Sequence, residues 1–238
     1  MFATVQHSHL DYDSKGGMIG INLEGDDGKH FITIAASTIP AQYLLPKVLM
    51  CYRERYPKEQ IKIMETDSSE VVTQVVDHMV DVGFTGTVLE KKHCKYIPFY
   101  KDELAVITPD TPEYRILKEQ NRDDIDWIRR KPLILREEGS GTRKEAEKQL
   151  KNAGISMETL DIVASIANQE TIKKSVKQGM GITILSRLAA EDEDGLLIFP
   201  IPGADEGRDI NLVYNKNYQM TRSADRFIRI VKEVYDIE

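Results

Sequence analysis

Apolar positions along the chain follow two periods in alternation, one typical of buried strands and the other typical of amphipathic helices. Residues 31–36 form a nearly continuous apolar run that predicts a buried strand ending before Ser37-Thr38. A helix stopped by Pro57 follows, predicted from apolar side chains at helical spacing, namely Leu44, Leu45, Val48, Leu49, Tyr52 and Tyr56. After a strand over 61–66, Asp67 with Glu70 three positions later predicts the capped start of a second helix.

The same alternation continues to the end of the chain. Further strands are predicted at 81–84, 95–100, 103–108, 132–135, 162–165, 182–185, 196–201 and 210–214. Further helices are predicted at 142–152, at 170–178 and after Ser223, which we expect to be the last N-cap. The charged stretch 110–131 has Trp127 and Ile128 as its strong apolar anchors and carries no predicted element.

Strands that alternate with helices predict a mainly parallel sheet, and two such sets predict an α/β fold of two Rossmann-like lobes. We expect residues 31–106 together with 208–238 to form lobe I, and residues 107–207 to form lobe II. The chain then crosses between the lobes twice, near 104–109 and near 207–212. Two crossover segments make a hinge, and the cleft between two such lobes is where ligands bind.

Residues 1–30 differ from the rest, because they are rich in glycine and poor in periodic apolar positions. We expect a lead-in segment that is either disordered or packed at an edge. Its first residues have neither the charged nor the apolar region of a secretory signal. With only Cys51 and Cys94 in the chain, no disulfide framework is expected. These features favour a cytoplasmic protein.

Composition and charge exclude several classes of protein. A hydrophobic content of 41% with 30% charged residues is ordinary for a globular chain of 238 residues. With a net charge of −7, the chain lacks the excess of basic residues that is typical of a nucleic-acid-binding domain. No apolar stretch approaches the roughly 20 residues that span a bilayer, so no membrane partner is expected.

Polar loops at the ends of four predicted strands are the candidate binding residues. They are Ser37-Thr38, Thr85-Gly86-Thr87, Ser140-Gly141-Thr142 and Asn168-Gln169. Because the carboxyl ends of parallel strands meet at one edge of a sheet, the loops of each lobe face the crevice. Two loops belong to each lobe, so a ligand in the cleft is expected to be held from both sides.

The chemistry of these loops is hydrogen-bond donation to negative oxygen atoms. Residues 137–143, Glu-Glu-Gly-Ser-Gly-Thr-Arg, follow a strand and open a helix, so free N–H groups and hydroxyls converge there. Arg143 adds a guanidinium that suits a carboxylate or a tetrahedral oxyanion. The predicted ligand is therefore a small anion, bound by Ser37, Thr38, Thr85, Ser140, Gly141, Thr142, Arg143 and Asn168.

An alternative interpretation of the same residues is structural. Serine, threonine and asparagine at helix starts are ordinary N-caps that stabilise a helix by about 1 kcal/mol each. This alternative applies most strongly to Ser37-Thr38 and Asn168, and least to Ser140 and Thr142, where flanking glycines permit close backbone approach. No nucleophile–base pair, acid–base pair or metal-ligand spacing stands out, so we expect no catalytic residue, no metal and no cofactor.

The order of these elements resembles the effector-binding domain of LysR-type transcriptional regulators. The resemblance covers about residues 31–236 and rests on the order and spacing of its segments rather than on any one motif. The matching segments are 34–39 (Ile-Ala-Ala-Ser-Thr-Ile), 43–46 (Tyr-Leu-Leu-Pro), Tyr56-Pro57, 80–84 (Val-Asp-Val-Gly-Phe), 136–143 and 176–186.

The resemblance implies the two-lobed periplasmic-binding-protein fold of type 2, used as a sensor. It implies a small organic acid or inorganic oxyanion as effector between the lobes. The positions that match the family's pocket are Ser37, Thr38, Thr85, Ser140, Thr142 and the loop at Asn168. It also implies an antiparallel homodimer, in which a helix and a strand of one lobe dock on the opposite lobe of the partner.

Residues 1–30 are too short for the winged helix-turn-helix and linker helix of that family. We therefore expect DNA to be read only through a head that is absent from this chain. Two rival hypotheses remain at this stage. One is a solute-binding protein that delivers an oxyanion or organic acid to a transporter, since the Gly-Ser-Gly-Thr-Arg loop also resembles the anion loop of phosphate-binding proteins. The other is an enzyme on the same fold.

Overall fold

A computed structural model describes residues 31–120, 124–203 and 207–237. The predicted lead-in segment 1–30 lies outside the described residues. Within these ranges, ten strands form two five-stranded sheets, one for each lobe. The strands are β1 Phe31–Ala36, β2 Gln60–Glu65, β3 Val82–Thr85, β4 Cys94–Asp102, β5 Leu104–Pro109, β6 Pro132–Arg136, β7 Asp161–Ile166, β8 Ile182–Ser186, β9 Leu196–Pro200 and β10 Arg208–Asn215.

Helices cover the sheets. They are α1 Leu45–Arg55, α2 Ser68–Val76, α3 Pro112–Glu119, α4 Gly141–Asn152, α5 Gln169–Lys177 and α6 Arg222–Val234. A π-helical turn over Pro40–Leu44 precedes α1, and 3-10 turns lie at Asp126–Arg130, Met157–Thr159 and Arg187–Ala189.

The sheets are mixed rather than wholly parallel. The lobe I sheet has the order β2-β1-β3-β10-β4, and the lobe II sheet has the order β7-β6-β8-β5-β9. The first three strands of each order are parallel, whereas β10 and β5 run antiparallel to both of their neighbours. These two reversed strands are the ones that the chain enters directly after it crosses from the other lobe.

The two crossovers lie side by side. Only Glu103 separates β4 from β5, and residues 201–207 connect β9 to β10. Since β5 pairs wholly with β8 and β9, the lobe I sheet ends at β4, and the expected boundary at residue 106 is three to four residues too late. Gly207 has a positive φ of 57°, and a Cβ there would lie 2.9 Å from the Asp102 carbonyl oxygen, so glycine lets the crossovers approach.

Each lobe buries both faces of its sheet, because successive strand residues point to opposite sides. In β1, Ile34 faces a cluster formed with α1 and α6, while Ala35 faces a cluster formed with α2. In β6, Leu135 packs with α4 and Ile134 packs with α5. The carboxyl ends of the parallel strands therefore remain the accessible polar edge.

Two local predictions are wrong. Helix α3 occupies part of the charged stretch for which no element was predicted, and Tyr114 is its buried residue. With Pro112 at its start and few apolar side chains, α3 gives a weak periodic signal. The last helix begins two residues earlier than predicted, because Thr221 rather than Ser223 is the N-cap, accepting a hydrogen bond from the Ala224 N–H at 3.1 Å.

Candidate ligand site between the lobes

A narrow cleft brings together five of the residues singled out in the sequence. Ser37 and Thr38 of lobe I, and Ser140, Gly141 and Thr142 of lobe II, all line it. The other lining residues are Ile39, Thr66, Asp67, Ser68, Gly86, Arg136, Glu137 and Arg208. The cavity volume is about 30 Å³, which is room for about two water molecules. The lobes are therefore close to each other around this site.

Gly141 is a point of close approach between the lobes. A Cβ at this position would lie 2.7 Å from the Thr87 Oγ1 and 3.2 Å from the Ser68 Oγ, both of which belong to lobe I. Real Cβ atoms do not approach a neighbour that closely, so the lobes meet here because residue 141 has no side chain. The backbone at the start of α4 is thereby brought against the opposite lobe.

The start of α4 is a donor site with a weak cap. Ser140 is the N-cap, and its Oγ accepts a hydrogen bond from the Arg143 N–H at 3.4 Å, a long distance for such a bond. Both Ser140 and Thr142 are buried. The first N–H groups of a 12-residue helix carry a partial positive charge, which favours an anion at this position.

The start of α2 faces the same cleft but is already capped by a carboxylate. Asp67 accepts hydrogen bonds from the Ser69 N–H at 2.8 Å, the Ser69 hydroxyl at 2.5 Å and the Glu70 N–H at 2.9 Å. The Ser69 hydroxyl is the largest cause, with the Glu70 N–H next, of a lowered pKa for the Asp67 carboxyl. The Lys144 ammonium of lobe II contributes to the same lowering.

Arg208 brings a buried positive charge to the cleft. It is 8% exposed, and its Nε donates to the Asp102 Oδ2 at 2.8 Å, while Asp102 itself is fully buried. Its Nη2 donates to the Thr142 Oγ1 at 3.1 Å. The Ser186 hydroxyl donates to the other oxygen of Asp102. This ion pair at the two crossovers thus holds hydroxyls of lobe II on both sides.

Arg136 is the second guanidinium in the lining. It forms a two-point ion pair with Glu137, with its Nε and Nη2 lying 2.9 and 3.0 Å from the two carboxylate oxygens. The Arg136 side chain is buried, so its charge is desolvated as well as paired.

Three of the predicted site residues do not line the cleft. Thr85 is fully buried, and its Oγ1 accepts a hydrogen bond from the Thr87 N–H at 3.2 Å. Arg143 turns away to Glu147, at 2.8 Å, and to the Arg136 carbonyl oxygen. Asn168 caps α5 by accepting from the Thr171 N–H at 2.9 Å, as the structural alternative predicts.

Other lining residues were missed in the sequence. Arg208 reaches the cleft from a crossover that is 66 positions after Thr142, so no local pattern connects the two. Arg136 stands at the end of a strand directly before the glycine-rich loop, and that position was the available signal. Asp67 was recognised only as a helix cap.

Among the described residues we find neither a metal-binding cluster nor a helix that could span a membrane. Within the described ranges, no three histidine, cysteine, aspartate or glutamate side chains are grouped so as to hold a metal ion. None of the helices in these ranges combines the length and the apolar surface needed to cross a bilayer.

Comparisons with known proteins agree with the resemblance to the effector-binding domain of LysR-type regulators that the sequence shows. The family model of the LysR substrate binding domain matches residues 27–236. The HTH-type transcriptional regulator MJ0300 of Methanocaldococcus jannaschii, itself uncharacterized, is 29% identical over 206 residues, which are 85% of this chain and 68% of the relative. The likewise uncharacterized regulator YeiE of Escherichia coli K12 is 32% identical over 163 residues, which are 68% of this chain but 53% of the relative.

A solved structure has the same fold. The regulatory domain of CcmR from Synechocystis, determined with 2-PG, gives a TM-score of 0.75 at 22% identity and covers 87% of this chain and 97% of that one. The two lobes therefore have the periplasmic-binding-protein fold of type 2. The family is that of a regulator's domain, rather than of a transporter's solute-binding protein or of an enzyme. The chain belongs to the LysR substrate binding domain family.

Proposed function

We propose that this chain senses a small anion, a carboxylate or an oxyanion, in the cleft between its lobes and thereby controls a LysR-type regulator. The observation that carries the proposal is the convergence of hydroxyls from both lobes on the weakly capped start of α4. Hydroxyls and helix N–H groups donate hydrogen bonds to anionic oxygen atoms. A ligand held from both sides stabilises the closed arrangement of the lobes.

Arg208 supports an anion rather than a neutral ligand. Among the described residues, its hydrogen bonds engage Nε and Nη2, while Nη1 lies 3.8 Å from the position of a Cβ on Gly141. A guanidinium nitrogen thus stands beside the start of α4. Because Asp102 already neutralises Arg208, the anion gains directed hydrogen bonds rather than a large net attraction.

Two relatives of the same fold are consistent with this chemistry. The effector-binding domain of QuiR was solved in complex with shikimate, and that of BenM with benzoate, and both ligands are carboxylates. Their identities to this chain are 14% and 15%, so they support the class of ligand and not a particular molecule.

We further propose a homodimer built on the two sheet edges. Strand β2 is an edge of the lobe I sheet and exposes Ile63, and β7 is an edge of the lobe II sheet and exposes Ile162 and Val163. Met50 on α1 is also exposed. Antiparallel pairing of two copies covers both apolar edges at once, which removes two sites of unwanted strand addition.

The chain spans about two thirds of the MJ0300 relative and about half of YeiE. We assign DNA recognition to the part of such regulators that this chain does not span, namely a winged helix-turn-helix. We propose a cytoplasmic location, because a regulator of this kind acts on the chromosome.

The test of the anion site is calorimetric titration of the purified chain with acetate, benzoate, sulfate and inorganic phosphate. Ser140→Ala with Thr142→Ala should weaken binding of the best of these probes by roughly tenfold or more, because two donors to a charged group are lost. Thr73→Ala with Thr171→Ala is the matched control, since both hydroxyls are exposed and lie on helices outside the cleft lining. Equal affinity in the two double variants would remove the proposed site.

A further inference from the structure

A contact between the lobes outside the cleft lining involves Tyr43. This residue belongs to the π-helical turn Pro40–Leu44 of lobe I, yet its ring packs against a lobe II cluster that includes Ile172 and Leu185. In return, Leu188 of lobe II packs against the core of lobe I. The lobes therefore exchange side chains across their boundary in addition to meeting at Gly141.

The polar end of Tyr43 is bound by Gln169. The Gln169 Nε2 donates to the Tyr43 phenol oxygen at 3.1 Å, and the Gln169 side chain, at the start of α5, is only 2% exposed. Among the described residues, Gln169 Oε1 has no hydrogen-bond partner. Whichever way the amide is turned, the phenol satisfies only one of its two ends. Burial of the other end is unfavourable.

Tyr43 is connected to the cleft through a short rigid segment. Ser37, Thr38 and Ile39 line the cleft and lead directly into the turn that carries Tyr43. The Ser37 N–H donates to the Phe84 carbonyl oxygen at 2.9 Å, and the Ala41 N–H donates to the Ser37 carbonyl oxygen at 3.0 Å. Turns of π-helix are rare, and they are frequently found at functional sites. A movement of these residues relative to lobe II therefore also moves the Tyr43 ring.

We propose that Tyr43 and Gln169 are positioning residues that form a weak latch between the lobes, in which one interlobe hydrogen bond is opposed by one unsatisfied amide end. The latch favours closure too little to hold the lobes together alone, so closure depends on a bound effector. A sensor requires such a balance, because an effector shifts an equilibrium only when both states lie within a few kilocalories of each other.

If the latch exists, the second substitution of a double-variant cycle should reverse the effect of the first on lobe opening. Tyr43→Phe keeps the ring but leaves the whole Gln169 amide unpaired, so the ratio of open to closed molecules should rise roughly fivefold. Tyr43→Phe combined with Gln169→Met removes both polar groups while nearly keeping their volume. The double variant should return the open population to the wild-type level or below it. If the two residues do not interact, their losses should add instead.

The open population is measured by the distance between spin labels, without added ligand. One label is attached at Thr73→Cys on α2 of lobe I and the other at Lys148→Cys on α4 of lobe II, since both positions are exposed. The background carries Cys51→Ala, and Cys94 needs no replacement because burial raises the pKa of its thiol to about 11. Unchanged distances in Tyr43→Phe, or a double variant more open than Tyr43→Phe, would overturn the latch.

A titration with acetate, benzoate, sulfate and phosphate separates the latch from the proposed anion site. This titration rests on the proposed function, whereas the distance measurement without ligand does not. The affinity for a binding probe should fall in Tyr43→Phe by the same factor as the closed population, and should recover in the double variant. Tyr218→Phe, an exposed lobe I tyrosine, is the control. If the distances follow the predicted cycle and no probe binds, the latch stands and the anion site fails. If a probe binds and the distances never change, the anion site stands and the latch fails.

Discussion

Two helix starts face the same cleft, one from each lobe, and they are capped in opposite ways. At α2 the Asp67 carboxylate accepts three hydrogen bonds of 2.5 to 2.9 Å from Ser69 and Glu70. At α4 the neutral Ser140 hydroxyl accepts one bond at 3.4 Å. Lobe I thus supplies its own anion to its helix, and lobe II does not. This difference supports the proposal that an anionic effector binds at α4, where its carboxylate or oxyanion would occupy the position that Asp67 occupies at α2.

Acidic and basic groups at the cleft are balanced in number. Arg208 is paired with Asp102, Arg136 with Glu137, and the Lys144 ammonium contributes to lowering the pKa of the Asp67 carboxyl. A bound anion therefore adds charge to a site that is near neutrality. Selectivity then comes from the geometry of hydroxyl and N–H donors rather than from bulk positive potential.

The largest expected effect concerns Arg208, which supports the first turn of α4 through Thr142. Arg208→Met leaves the fully buried Asp102 carboxylate without its cation, and should lower the free energy of unfolding by about 3–5 kcal/mol. Urea denaturation measures this difference. Arg115→Met, which breaks an exposed pair with Asp110, should change the free energy of unfolding far less, because solvent screens that pair.

A second variant tests whether Arg208 acts through its charge. Arg208→Met combined with Asp102→Leu removes the unpaired carboxylate, and should recover at least half of the lost stability. A double variant as unstable as Arg208→Met alone would show that packing of the arginine stem, and not the buried ion pair, stabilises the crossovers.

The substitution Ser140→Asp makes the two helix starts alike. Ser140→Asp places at α4 the kind of cap that α2 already has, so the helix should stay formed while the carboxylate excludes the effector. We expect the affinity for the best probe anion to fall by about tenfold or more relative to Ser140→Asn, which has the same shape without the charge. Calorimetry on the two variants measures the ratio. Similar affinities would mean that the anion binds away from α4.

Much of this site is readable from local patterns in the sequence, because it is built at strand ends. Ser37, Thr38, Ser140 and Thr142 each follow an apolar run that ends at the shared edge of a sheet, and the cleft brings them together. The distinction between a cap and a ligand contact is not local, since it depends on which side chains the opposite lobe presents. For Asn168, the cap interpretation describes the geometry.

The parts that the sequence does not predict depend on contacts between distant segments. Arg208 reaches Thr142 and Asp102 only because two crossovers pair beside each other. The spacing predicts β4 and β5 as two separate strands, but only their pairing partners reveal that the chain changes sheets at Glu103. Gln169 stands beside the predicted Asn168, and its burial against Tyr43 has no signature in the spacing.

The smallest expected effect is the pH dependence of the cap at α2. The pKa of the Asp67 carboxyl is lowered in the folded chain, so its stabilising contribution is fully present above the unfolded value of about 3.9 and is lost as the pH falls through the folded value. Asp67→Asn keeps a good cap without the charge. At pH 7 the wild type should be more stable by about 0.5 kcal/mol, a low figure because the group is exposed to solvent. As the pH falls through the folded pKa of Asp67, the two proteins should converge in denaturant titrations, whereas Ser140→Asn should show no such pH-dependent difference from the wild type.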